Sequence, residues 1–337
     1  MGKRWTIVIV RIEISKGPKL KKNKRSKELL KLNTFKNEKY TGWYKWVPTL
    51  EEWAEFSVEP KPPVEMYENE YLLVYNVEDG QEKLVSQYQY TNGKLRSFGR
   101  GSISYSLSDF KVDEEGNVKE SKSSKKKVTT ITPLNAEQVA AIDLLNNDNI
   151  KFKMLSGNFG SGKTLLTSTK AVQMLLDRKV EKIIWLRNCI GVKNVGSLGF
   201  LPGDLLEKVR PWIRPLIDNI KSSNAIMHMI KKEQLEVVAL EHLRGANFDN
   251  SVVVCTEAQN LDEELMKLII GRIGKGSYLL VEGDFKQTDR EVFNKSQGMK
   301  AAIDILAGHP LFGYVDMPKD ERSDVARLAD LFEKRDK

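Results

Sequence analysis

The chain has 337 residues, of which 40% are hydrophobic and 30% charged, with a formal net charge of +8. That length can bury one substantial core beside a smaller domain, and the composition argues against a disordered chain. No apolar run approaches the roughly 18 to 20 residues that a bilayer crossing needs, because Arg11 interrupts the early Trp5–Val10 stretch; no membrane span is expected, and a cytoplasmic location is.

The charge is uneven. Residues 1–40 hold 13 Lys and Arg against 3 Glu, a net of +10, which leaves residues 41–337 at −2. This segment reads as a basic amino-terminal arm, which can neutralise nucleic-acid phosphates in a salt-sensitive way or serve as a solvated tail.

Residues 41–110 read as a small β-rich domain. Trp43, Tyr44, Trp46, Trp53 and Phe56 cluster at its start, and short β-rich runs at Glu70–Asn76, Leu84–Tyr90 and Gly101–Leu107 are separated by Asp79-Gly80 and Asn92-Gly93. Asp-Gly and Asn-Gly between such runs are hairpin signals. The aromatics can pack a small core or stack on bases. Residues 111–130, with Asp113 to Gly116 and the Ser/Lys run Ser121–Lys127, read as a polar linker.

From residue 131 to 337 the pattern alternates strand and helix, as a parallel α/β sheet requires. Strands are predicted at Lys151–Ser156, Lys182–Arg187, Glu236–Leu240, Ser251–Thr256, Tyr278–Gly283 and Tyr314–Met317, with helices starting near Asn135, Gly162, Asp204, Asp262 and Gly298. Cys189 and Cys255 lie far apart, form no CxxC pair and end apolar runs, so they read as buried thiols in a reducing compartment.

Gly157-Asn158-Phe159-Gly160-Ser161-Gly162-Lys163-Thr164 has the full P-loop spacing between a predicted strand and a predicted helix. Its glycines let successive backbone N–H groups and the helix N-terminus face phosphate oxygens. Lys163 can reach the β- and γ-phosphates and Thr164 can offer its hydroxyl to magnesium, so ATP and Mg2+ are the expected ligands.

Around this loop several segments resemble PhoH-family ATPases in the same order. They are Asn135-Ala136-Glu137-Gln138, Gly199-Phe200-Leu201-Pro202-Gly203-Asp204, Glu207-Lys208, Arg210-Pro211-Trp212, Arg244-Gly245, Glu257-Ala258-Gln259-Asn260, Gly283-Asp284 with Gln287, and Glu321-Arg322-Ser323. The fit is closest to longer members in which a PIN nuclease precedes the ATPase: Tyr40-Thr41-Gly42-Trp43 and Glu68-Asn69-Glu70-Tyr71 resemble their inter-domain region. No Asp precedes Asp79, so the nuclease carboxylates are not there and RNA cleavage is not expected.

The resemblance implies a RecA-like P-loop NTPase core preceded by the small β-rich domain. It further implies assembly into a homo-oligomeric ring, a hexamer, and single-stranded RNA or DNA as substrate. It puts Gln138 on the adenine side, Glu257 as the group that activates water, Gln287 at the γ-phosphate and Arg322 as an arginine finger across a subunit boundary, where a surface ion pair is the other reading. The family's magnesium-shell Asp is replaced by Thr256. The Thr256 hydroxyl can hydrogen-bond a magnesium-bound water but brings no negative charge, so weakened metal affinity and ATP binding with slow hydrolysis are expected, and a nearly inactive ATP-binding scaffold is the alternative.

Overall fold

The computed structural model describes residues 40–113, 118–121, 126–187, 205–286 and 297–321. Strand β1 (Trp43–Trp46), helix α1 (Leu50–Val58), and strands β2 (Tyr71–Glu78), β3 (Gln81–Thr91) and β4 (Lys94–Ser97) come first, then β5 (Ile103–Leu107), β6 (Phe110–Val112), β7 (Val118–Glu120) and β8 (Lys127–Ile131). The second half runs α2 (Ala136–Asn146), β9 (Phe152–Gly157), α3 (Lys163–Leu176), β10 (Lys182–Arg187), α4 (Leu205–Ile220), α5 (Ser223–Lys231), β11 (Leu235–Ala239), β12 (Ser251–Thr256), α6 (Glu263–Ile270), β13 (Tyr278–Gly283), α7 (Gly298–Leu306) and β14 (Phe312–Met317).

The second half is the α/β core expected from the alternating pattern. Its six strands are all parallel in the order β11-β10-β12-β13-β9-β14. Strands β9, β12 and β13 are buried along their whole length, which is why they read as continuous apolar runs. The helices cover both faces and split the core in two. Ala140, Leu144, Leu166 and Met174 pack on Leu155, Trp185 and Val254, while Met266, Ile269, Met299 and Ile303 pack on Met154, Ile184 and Val253. Side-chain caps fix three helix starts: Asn135 for α2, Ser222 for α5 and Asp262 for α6.

The β-rich segment follows the hairpin signals in part. Asp79-Gly80 and Asn92-Gly93 join β2 to β3 and β3 to β4, and all four residues have positive φ, as type I′ turns demand. The third strand is Lys94–Ser97, however, and Ile103–Leu107 pairs instead with Lys127–Ile131. The stretch expected to be a polar linker therefore carries a strand that completes a two-stranded ribbon, plus the β6–β7 pair. Alternation explains this: Ile103, Tyr105 and Leu107 face the main core as a half-buried strand, and β8 covers their open edge. Trp46, Trp53, Phe56 and Tyr88 pack on one another in a local core of their own. Helix α1, capped by the Thr49–Glu52 capping box, and helix α5 went unpredicted.

The segments at Tyr40–Trp43 and Glu68–Tyr71 form the seam between this sheet and β14. The Thr41 carbonyl accepts from the Asp316 N–H at 2.8 Å and the Gly42 carbonyl from the Tyr71 N–H at 2.9 Å, while Trp43 Nε1 donates to the Asp316 carbonyl at 2.8 Å. Asn69 Nδ2 donates to the Phe312 carbonyl at 2.8 Å. At Gly42, φ is +78°, and a Cβ would lie 1.8 Å from the Tyr314 carbonyl oxygen. Gly42→Ala is therefore expected to cost about 2–4 kcal/mol through overpacking and positive-φ strain, measured as a lowered urea midpoint; an unchanged midpoint would show that the seam contributes nothing to stability.

Candidate nucleotide site

The carboxyl ends of β9, β13 and β12 lie side by side, and each delivers part of the site, where parallel α/β sheets place their ligands. The P-loop follows β9. Gly157, Gly160 and Gly162 all have positive φ, at 148°, 82° and 91°. A Cβ at Gly157 would fall 2.1 Å from the Met317 carbonyl oxygen of β14, so the loop leaves the sheet only because this residue has no side chain. Gly162 is the N-cap of α3, which presents the amino end of a 14-residue helix to the loop.

Lys163 is buried, and its Nζ donates to the carbonyls of Gly157 and Asn158 at 2.8 Å each. Burial pushes its pKa down, opposed by Glu282, Asp284, Glu257 and Asp316. The Asn158 side chain donates to the Pro318 carbonyl, and Ser161 is buried, whereas Phe159 is exposed. Gln138 stands against the loop: its Nε2 donates to the Ser161 carbonyl at 3.0 Å and its Oε1 accepts from the Leu134 N–H at 2.7 Å. Asn135 ties the same corner to Glu321, whose backbone N–H donates to the Gly160 carbonyl.

Glu257 leaves β12 with φ +55°, a left-handed conformation unusual for a glutamate and of the strained kind found at functional sites. Its exposed carboxylate accepts from Gln259 Nε2 at 2.7 Å. Gln259 Oε1 in turn accepts from the Asp284 N–H at 3.1 Å, so one amide fixes the ends of β12 and β13 together. Gly283 permits this, since a Cβ there would sit 2.7 Å from Gln259 Oε1. Thr256 is buried at the end of β12.

Glu282 is the residue that sequence reasoning missed. It is buried, its Oε1 accepts from the Thr164 hydroxyl at 3.0 Å, and the Glu257 backbone N–H also donates to its carboxylate. Burial pushes its pKa up to about 7 against the pull of Lys163, with Glu257 adding to the rise. The available signal was a carboxylate interrupting the apolar run Tyr278-Leu279-Leu280-Val281, a placement that demands partners.

The structure thus brings together Gln138, the P-loop, Thr256 and Glu257. Gln287, Arg322, Cys189 and the Gly199–Asp204 segment lie outside the described residues. Arg272 lies at the opposite end of the sheet, where its backbone carbonyl accepts from the Phe248 N–H ahead of β12. Cys255 is buried and its thiol pushed up to about 12 by desolvation, which fits the reading of an inert interior thiol. Among the described residues no group of three or more His, Cys, Asp or Glu could hold a metal by itself, and no helix is long and apolar enough to cross a membrane.

The sequence profile of the family described as PhoH-like protein matches residues 130–330. This chain belongs to that family. Protein PhoH2 of Mycolicibacterium smegmatis is 32% identical over 196 residues, which cover 57% of this chain and 45% of that protein. Protein PhoH2 of Bacillus subtilis is 31% identical over 210 residues, 59% and 47% of the two chains. A PhoH-like protein of Mycobacterium tuberculosis is 36% identical over 180 residues, 52% and 50%. The chain spans about half the length of the curated relatives it matches. Among solved structures, a Pif1 helicase from Candida albicans overlaps at TM-score 0.32 and 16% identity, over 60% of this chain and 44% of that one, too distant to bear on function.

The PhoH-like P-loop core makes the loop's dependence on Gly157 a direct test. Gly157→Ala should weaken nucleotide binding more than about 10-fold, because a displaced cradle loses several oriented N–H contacts, as read by titration with a fluorescent ATP analogue; retained affinity would mean that the loop is not the phosphate cradle.

Proposed function

We propose that this PhoH-like protein is a magnesium-dependent ATPase that acts on, or is stimulated by, single-stranded nucleic acid, RNA in the first instance. The observation that carries the hydrolytic reading is Glu257. It stands at the carboxyl end of the buried β12, close enough to Lys163 to act on its pKa, with its carboxylate held by Gln259. A carboxylate so placed can orient and deprotonate a water beside a phosphate bound in the loop.

The other roles follow from the same arrangement. The backbone from Gly157 to Thr164 cradles the phosphates, Lys163 exchanges its loop carbonyls for phosphate oxygens, and Gln138 sits on the adenine side. The Thr164 hydroxyl and the nearby carboxylate are hard oxygen donors, the type that suits magnesium. When bound, the ion neutralises phosphate charge that develops during transfer. Gln287 and Arg322 are assigned to the γ-phosphate, the latter from a neighbouring subunit of a homo-oligomeric, six-membered ring. Movement along a strand needs two motor units working against one another, and neighbouring subunits of such a ring would supply them. The basic arm at residues 1–40 is the natural polyanion contact.

Sequence alone assigns Thr256 a weakening effect on hydrolysis, since position 256 carries no charge. The second reading, an ATP-binding scaffold with negligible turnover, is separated from the first by phosphate release measured with and without RNA. Release that rises with RNA, disappears in Lys163→Ala and falls about 100-fold or more in Glu257→Gln is the expected result. Nucleotide binding without release above background would favour the scaffold.

A further inference from the structure

Strands β12 and β13 run parallel in a register that sets Cys255 opposite Val281. One residue further along each strand stand Thr256 and Glu282, both buried. The position where the resemblance calls for a carboxylate therefore has one on the adjoining strand, on the same rung of the sheet. That carboxylate meets the P-loop hydroxyl of Thr164 at 3.0 Å, and this hydroxyl is the group a P-loop offers to magnesium. A carboxylate touching it lies where the coordination shell of an ion on Thr164 must form, either as a direct ligand or through a bound water.

We propose that Glu282 supplies the negative charge of the magnesium site that Thr256 cannot, so that charge is relocated by one strand and not lost. The inference rests on the nucleotide-binding reading above and changes one consequence of it: Thr256 ceases to be a defect. Thr256→Asp in the otherwise unsubstituted chain would then crowd two carboxylates onto one rung instead of restoring a missing one.

Two further features fit a metal role better than a purely structural one. The Glu282 carboxylate is oriented from two sides, by the Thr164 hydroxyl and by the Glu257 backbone N–H. Moreover Glu282, Glu257, Asp284 and Asp316 all act electrostatically on Lys163, so the place where a polyanion is to bind carries a strongly negative field beside that buried lysine. Without a cation, Glu282 opposes the phosphates; with one, it holds the cation that joins them. Its removal should therefore weaken metal-dependent binding without weakening metal-free binding.

The test uses the full chain, with Mn2+ as a paramagnetic probe and ADP as nucleotide. Free Mn2+ is followed by electron paramagnetic resonance, and ADP affinity is measured separately in EDTA. Glu282→Gln should weaken Mn2+ binding to the ADP complex by about 10- to 100-fold while leaving metal-free ADP affinity equal or tighter. The double variant Thr256→Asp, Glu282→Thr should recover Mn2+ binding. Unchanged Mn2+ affinity in Glu282→Gln overturns the inference while the nucleotide reading stands. If Glu282→Gln loses metal-free and metal-dependent binding together, the double variant decides: recovery supports relocation, and failure to recover overturns it. An unsubstituted chain that binds no ADP under either condition would sink the ATPase reading and this inference with it.

Discussion

The site depends on how β9 is held. This strand lies between β13 and β14, paired with both in parallel, and its last residue, Gly157, presses against the Met317 carbonyl at the end of β14. The contact leaves no room for a side chain and forces the backbone out of the sheet and into the loop. Ser156, one residue earlier, shares a hydrogen bond with the Tyr314 hydroxyl at 2.6 Å and another with the Asp316 carboxylate. A buried strand thus ends in a polar clamp, and the loop that follows starts from a fixed point.

The same strand β14 joins the β-rich segment to the core. Asp316 bonds through its backbone to Thr41 and Trp43, while its carboxylate takes the Ser156 hydroxyl. One short stretch therefore carries both the seam and a support of the P-loop. A change at the seam can reach the loop through about three residues of strand, with no helix or linker between. This gives physical content to the motif-like segments at Tyr40–Trp43 and Glu68–Tyr71, which bond to the strand that supports the P-loop.

Most of the core was legible in the sequence because its strands are buried on both faces. Ser251–Thr256 and Tyr278–Gly283 are runs whose ends coincide with turn signals, and the structure gives the same bounds. The positions of the P-loop motif and of Glu257 at strand ends were legible for a related reason, since each stands where an apolar run stops. What remained hidden depends on pairing between residues distant in sequence. Nothing local tells Ile103–Leu107 to pair with Lys127–Ile131 across a polar stretch. Nor does a single Glu at position 282 announce that it faces the hydroxyl of Thr164, 118 residues earlier. Motif reading compares each position with its own column and so registers Thr256 as a loss; only the register of β12 against β13 shows that the neighbouring strand carries a charge on the same rung.

The electrostatics of the pocket follow from that rung. Desolvation lowers the pKa of Lys163 and raises that of Glu282 to about 7, and each opposes the shift of the other. Since the folded pKa of Glu282 exceeds that of an unfolded glutamate, its contribution to stability is fully present below the unfolded value near pH 4.5 and is lost as pH rises through about 7. Phosphates seated in the loop would add negative charge to the low-dielectric space that already holds the buried Glu282 carboxylate, where repulsion is weakly screened. A divalent ion bound beside Thr164 would offset the carboxylate and the phosphates together. Binding of nucleotide and metal should on this ground be strongly coupled: each favours a site that the other has made electrically acceptable, without any conformational change being required to link them.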